Sequence, residues 1–163
     1  MNIATLEQER AGRFCAGRSS GPGLEDRLRR AALRAPHGKM GSYVLVVEDD
    51  RDIRELICDL LRVEGHVVRE AADGLQALEL LTSAAELPFL ILLDLMMPRM
   101  NGWELVERLC ADAALALVPV CTVSAMDGPR EGVAHALRKP VEVEELLAIV
   151  ARFAGSLASS AEN

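Results

Sequence analysis

The sequence predicts an α/β fold: a doubly wound parallel sheet of five strands with helices on both faces. Three observations lead there. Apolar, β-branched runs of about five residues alternate with segments of helical period from Tyr43 onward. Those runs are apolar at successive positions rather than at every second one, the mark of strands buried on both faces. Strict alternation of strand and helix then implies parallel pairing through right-handed crossovers.

Tyr43-Val44-Leu45-Val46-Val47 is the first strand and runs straight into acids. Ile53, Leu56, Ile57, Leu60 and Leu61 recur at helical spacing with Arg54, Glu55 and Asp59 between them, so a helix follows at once. Gly65 closes it, and His66 to Glu70 makes a short, weaker strand. Asp73-Gly74 opens a second helix whose apolar residues are Leu75, Leu78 and Leu81. Phe89 to Leu93 is the third strand, ending in Asp94, and Trp103, Val106 and Leu109 mark the third helix. Val118 to Val123 is the fourth strand; Pro119 fits only near its beginning, because it cannot donate to a ladder. A short fifth strand lies around Ala134 to Arg138, and the last helix carries Val143, Leu146, Leu147 and Val150 on one face. Only 14 residues separate Ser124 from Lys139, and they include Gly128, Pro129 and Gly132. These are poor helix residues, so the fourth helix, between the fourth and fifth strands, is shortened or missing.

Composition narrows the function. A chain of 163 residues that is 50% hydrophobic can bury one core of ordinary size, which excludes wholesale disorder. A net charge of −7 argues against direct DNA binding, and 3% aromatics leaves little for base stacking. No apolar run approaches the ~20 residues of a membrane helix. Cys15, Cys58, Cys110 and Cys121 show no C-x-x-C spacing and read as free, mostly buried thiols of a cytoplasmic protein. The charge is uneven: residues 1–39 hold eight basic and four acidic residues, a net of +4, which leaves −11 for the rest. With a Gly/Ser/Pro cluster over 17–23, residues 1–41 read as a basic, disordered extension. Residues 42–155 read as the folded domain and 156–163 as a short flexible tail.

In such sheets ligands gather beyond the carboxyl ends of the strands. The first strand ends in Glu48-Asp49-Asp50, the third in Asp94, the fourth in Ser124 and the fifth in Lys139. A carboxylate cluster, a hydroxyl and an ammonium are therefore delivered to one edge. Clustered carboxylates repel unless a cation neutralises them, and hard oxygen ligands suit Mg²⁺. Any one of these residues alone reads as a solvated loop group; the four strand ends together do not.

The stretches Val46-Val47-Glu48-Asp49-Asp50, Leu92-Leu93-Asp94-Leu95-Met96-Met97-Pro98, Asn101-Gly102, Val123-Ser124-Ala125 and Lys139-Pro140 resemble the receiver domain of bacterial two-component response regulators. Asp73-Gly74 followed by Ala77-Leu78 fits the same pattern, and the resemblance covers about residues 42–155. It implies a flavodoxin-like sheet of the single-domain, chemotaxis-regulator type. It also implies that Asp94 accepts a phosphoryl group from a sensor histidine kinase or phosphotransfer protein. Glu48, Asp49, Asp94 and the backbone carbonyl of Met96 would hold Mg²⁺. Lys139 would pair with Asp94 and then with the phosphoryl oxygens, and Ser124 would hydrogen-bond one of them. Asp50 has no direct role in this scheme. The Lys139-Pro140 bond is expected to be cis, as is common in the family.

Two departures stand out. The segment between Ser124 and Lys139 is short, and Ala136 occupies the position where receivers usually carry Tyr or Phe as a readout of phosphorylation. With about a dozen residues after the last helix, signalling is expected through a protein partner or by phosphate relay, with no enzymatic activity beyond the chain's own phosphoryl chemistry. The alternative is a phosphorylation-independent interaction module that keeps the fold without the switch. An aspartyl-phosphate hydrolase of the haloacid-dehalogenase type is disfavoured, since its second Asp would stand where Met96 does.

Overall fold

The computed structural model describes residues 43–125 and 131–160, with side chains described as far as Gly155. The expected extension 1–41 with Cys15, together with Ser42, Met126 to Arg130 and residues 161–163, lies outside the described residues. Five parallel strands, β1 (Tyr43–Val47), β2 (Val67–Ala71), β3 (Leu90–Asp94), β4 (Val120–Ser124) and β5 (His135–Arg138), form one sheet in the order β2-β1-β3-β4-β5. The helices are α1 (Arg51–Val63), α2 (Gly74–Ser83), α3 (Gly102–Ala111) and α4 (Val143–Ser160), with a 3-10 turn at Leu115–Leu117. The predicted sheet is therefore present. Among the described residues no helix links β4 to β5. No helix among them is long and apolar enough to cross a membrane.

The continuous apolar runs do what their pattern demands. Val44 and Val46 of β1, with Leu90 and Leu92 of β3, face Cys58, Leu61, Leu146 and Val150 of α1 and α4. Leu45, Val47, Ile91 and Leu93 face Ala77, Leu81, Leu105 and Leu109 of α2 and α3. Successive residues thus enter opposite cores, and all five residues of β1, β3 and β4 are buried. Burying a Leu or Val side chain contributes ~1.5–3 kcal/mol, so these central strands fix the positions of their own ends.

Two helices bury only part of the face their spacing suggested, Leu61 with the partly buried Ile57 and Leu60 in α1 and Leu81 with the partly buried Leu78 in α2. In α1 Cys58 and Leu61 are buried, while Leu56 is 70% and Val63 82% exposed. The helix packs on β2, an edge strand, so the sheet does not extend far enough to cover its whole apolar arc. In α2 the inward residues are Gly74, Ala77 and Leu81, and Leu75 is exposed. Asp73 caps that helix by accepting from the Gln76 N–H at 2.9 Å, and Gly74 sits against the buried Met100. This entry sets the rotation of α2, which apolar counting could not see. Pro119 falls just outside β4, where its carbonyl accepts from the Ile91 N–H at 2.9 Å.

Cys58, Cys110 and Cys121 form no disulfide. Burial, reinforced by the nearby Glu70 charge, pushes the Cys58 thiol up to about 11. Burial pushes Cys121 up to about 12, with a smaller push from Glu145. Thiolate population falls about tenfold per unit, and the thiolate is the nucleophile. Alkylation by iodoacetamide at pH 8 is therefore expected to be at least about 100-fold slower at both residues in the folded protein than in urea, read by peptide mass spectrometry.

Candidate functional site

The strand order reverses between β1 and β3, which leave their neighbours in opposite directions and open a crevice beyond their carboxyl ends. The site lies there. Glu48 continues β1, its N–H donating to the Ala71 carbonyl at 3.2 Å, and the residue is 3% exposed. Asp94, the last residue of β3, is 5% exposed. Asp49 is exposed beside them. Carboxylate oxygens of Glu48, Asp49 and Asp94 all lie within 4.8 Å of one another.

Lys139 reaches this cluster from the end of β5. Its backbone N–H donates to the Ser124 carbonyl at 2.9 Å, extending the sheet by one step. Its ammonium then lies 3.1 Å from Glu48 Oε2 and 3.3 Å from Asp94 Oδ1. The Lys139-Pro140 bond is cis. Ser124 is buried at the end of β4, one residue beyond Val123, which pairs with Asp94 in the β3–β4 register. Met96 stands two residues past Asp94, with its side chain in solvent.

The electrostatics follow from this packing. Burial raises the Glu48 carboxyl above its ordinary range, the Asp94 charge raises it further, and Lys139 opposes both without cancelling them. Burial pulls the Lys139 ammonium down, but Glu48 and then Asp94 outweigh it and leave the net shift upward. Two carboxylates at such separations repel by about 3 kcal/mol at an effective dielectric of ~20. Three ionised carboxylates and one ammonium leave a local charge of −2. A hard, doubly charged cation with oxygen ligands is the complement of that site, and the donor set fits Mg²⁺.

Several supporting residues escaped the sequence reading. Asp50 caps α1, its Oδ1 accepting from the N–H groups of Asp52 at 2.9 Å and Ile53 at 3.1 Å. Arg54 donates through Nη1 to the carbonyls of Glu48 at 2.7 Å and Asp49 at 3.3 Å, pinning the backbone that carries the acids. Its Nε also lies 3.6 Å from Glu70 Oε2. Asn101 and Glu104 form a reciprocal capping box at the start of α3. Gly102 follows because a Cβ there would lie 2.6 Å from the Asp94 carbonyl oxygen. The S/T/D/N-x-x-E pattern could have revealed the Asn101 box, whereas nothing in local spacing points to Arg54.

Replacing Lys139 by Met tests the ion cluster. Removing one partner of a buried pair costs ~3–5 kcal/mol, and Lys139 is 30% exposed, so a loss of about 1–3 kcal/mol at pH 7 is expected. Glu48 has a folded value above its unfolded one, so the native state gains relative stability as pH falls through that raised value. The Lys139→Met penalty should therefore shrink on acidification below the folded value of Glu48. Urea unfolding of both proteins from pH 7 to pH 4 measures it.

Comparison with known proteins agrees with this geometry. The response regulator receiver domain family matches residues 44–151. The chain is 34% identical over 114 residues to the DNA-binding dual master transcriptional regulator RpaA of Synechocystis, with 66% of this chain and 46% of that protein covered. It is 37% identical over 116 residues to the response regulator MprA of Mycobacterium ulcerans, covering 67% and 48%. The chain thus spans about half the length of these regulators. Among solved structures, the Vibrio cholerae chemotaxis protein CheY4 superposes with a TM-score of 0.62 at 28% identity, covering 69% of this chain and 98% of that one. Family match, strand order and acidic strand ends agree, and the chain belongs to the response regulator receiver domain family.

Proposed function

We propose that the protein is a phospho-accepting receiver that takes a phosphoryl group from the phosphohistidine of a sensor kinase or phosphotransfer protein onto Asp94. The observation that carries this reading is the convergence of Glu48, Asp49 and Asp94 within 4.8 Å, with the Lys139 ammonium on two of them. A carboxylate is a weak nucleophile, so position and charge neutralisation must supply the rate. Lys139 holds the Asp94 carboxylate through Oδ1. An Asp94 oxygen attacks phosphorus, the P–N bond to the imidazole breaks, and its electron pair remains on the ring. Lys139 then follows the charge onto a phosphoryl oxygen, and the Ser124 hydroxyl donates to another. Glu48, Asp49, Asp94 and the Met96 carbonyl would hold Mg²⁺, which when bound neutralises the carboxylates and takes a phosphoryl oxygen. Signal output would run through a protein partner.

One observation favours the second reading, a phosphorylation-independent interaction module. Ala136 is exposed on β5 in place of an aromatic side chain, so phosphorylation has no ring to rotate there. Incubation with Mg²⁺ and acetyl phosphate separates the two. A mass gain of one phosphoryl group located on Asp94 is expected, abolished by Asp94→Asn and by excess chelator and severely slowed by Asp49→Ala. No gain, or gain elsewhere, would leave the interaction module.

The lifetime of the aspartyl phosphate should be long. Hydrolysis needs a water in line with phosphorus, and Met96 lies exposed two residues past the acceptor. A thioether is a weak acceptor and no donor, so it cannot orient that water. The residue two past Ser124, Met126, lies outside the described residues but offers the same chemistry. A hydrogen bond contributes ~0.5–1.5 kcal/mol net, so one that orients the water gives up to about tenfold in rate. Decay after phosphodonor removal should therefore be faster in Met96→Asn than in the parent, by up to about tenfold.

A further inference from the structure

Between β3 and α3 the chain makes a seven-residue loop, Leu95 to Asn101, that is fastened at three points. The Gly102 N–H donates to the Leu95 carbonyl at 3.1 Å. Met100 is buried against Gly74, so closely that a Cβ there would lie 2.7 Å from Met100 Cγ. The third point is ionic: the Arg99 guanidinium donates to Asp73 Oδ2.

That third point is an unusual place for an ion pair. Asp73 is 1% exposed, and a buried carboxylate is costly unless it is paired and hydrogen-bonded. Its other oxygen, Oδ1, accepts from the Gln76 N–H at 2.9 Å. Arg99 has φ +68, a left-handed conformation that long side chains rarely adopt and that persists where surrounding structure enforces it. A buried charge and a left-handed arginine thus meet where the loop that follows the phosphoacceptor touches the start of α2. Neither is needed to cap α2, since a neutral Asn caps a helix as well as Asp does. Between the Leu95 anchor and the Arg99 anchor lies Met96.

We propose that Asp73 and Arg99 are positioning residues: their ion pair ties the loop to the start of α2 and fixes where the Met96 carbonyl stands relative to the Glu48, Asp49 and Asp94 carboxylates. The inference rests on the reading that these groups bind a divalent cation. Without the clamp, the loop keeps its anchors at Leu95 and Met100, but the carbonyl between them is free to shift. The cation then loses a pre-set ligand while the carboxylates stay in place.

The test is calorimetric titration of the full chain with Mg²⁺ alone, for the parent, Arg99→Gln, Asp73→Asn, the double variant and Arg99→Lys. Outer contacts that orient ligands commonly change metal affinity ~10–100-fold, so each single neutral variant should raise the Mg²⁺ Kd about tenfold. The double variant should bind no more weakly than either single one, because both remove the same contact. Arg99→Lys should recover part of the loss. Arg99 is exposed, so its replacement leaves the core intact even where Asp73→Asn fails to fold. A purely structural pair would lower the melting temperature of the variants while leaving their Kd at the parent value, and that result would overturn the proposal. Additive losses would overturn it as well. Absence of Mg²⁺ binding by the parent would instead overturn the metal reading itself, and the clamp with it.

Discussion

Two carboxylates, Glu48 and Asp94, are buried side by side at the carboxyl end of an apolar sheet, and the molecule is arranged around that cost. Neither could stay there if the strands were free to splay. β1 and β3 are buried at every residue and paired with each other, so their ends cannot relax toward solvent without opening both cores. Lys139 offsets part of the repulsion, while burial first and the Asp94 charge second keep the Glu48 carboxyl above its ordinary range. The residual negative charge is what would suit the site to the proposed chemistry. An electrostatically incomplete cluster invites a small hard cation, and with it an anionic group such as a phosphoryl.

The surrounding structure holds this cluster mainly through backbone. Arg54 grips the carbonyls of Glu48 and Asp49, Asp50 ends the same loop by capping α1, and Gly102 lets α3 begin against the Asp94 carbonyl. Side chains that carry the proposed chemistry are therefore held by main-chain contacts from the next element along. This explains how a few short strand ends can hold the groups of the proposed chemistry in place. The β4–β5 edge carries the two departures from the receiver pattern that the sequence shows. Ten residues, 125 to 134, connect those strands, and Ala136 is exposed on the edge strand.

The sheet and the residues at its ends were legible in the sequence for one reason. Continuous apolar runs locate strands on their own, and the first polar residue after each run is by construction at a strand end. That logic places Glu48, Asp49, Asp94 and Ser124 without any tertiary information, whereas Lys139 follows a mixed strand, His135–Arg138, that is no continuous apolar run. It is less sharp at boundaries: β2 begins at Val67 rather than His66 and β4 at Val120 rather than Val118. It is blind to pairs set by topology. Asp73 and Arg99 are 26 positions apart and meet only because β2 and β3 both flank β1. It also overstates burial on α1, since helical spacing reports an apolar arc and not how much sheet lies beneath it.

The most direct measurement is a crystal structure of the full chain with Mg²⁺ and beryllofluoride, an unreactive mimic of an aspartate-bound phosphoryl group. The expected density is beryllofluoride on an Asp94 oxygen, with the Lys139 ammonium and Ser124 hydroxyl on its fluorines. A metal ion should sit among Glu48, Asp49, Asp94 and the Met96 carbonyl. Density showing Asp94 still paired with Lys139 and no metal among the carboxylates, at concentrations that saturate other receivers, would contradict the assignment of this cluster as a phosphoryl-accepting site.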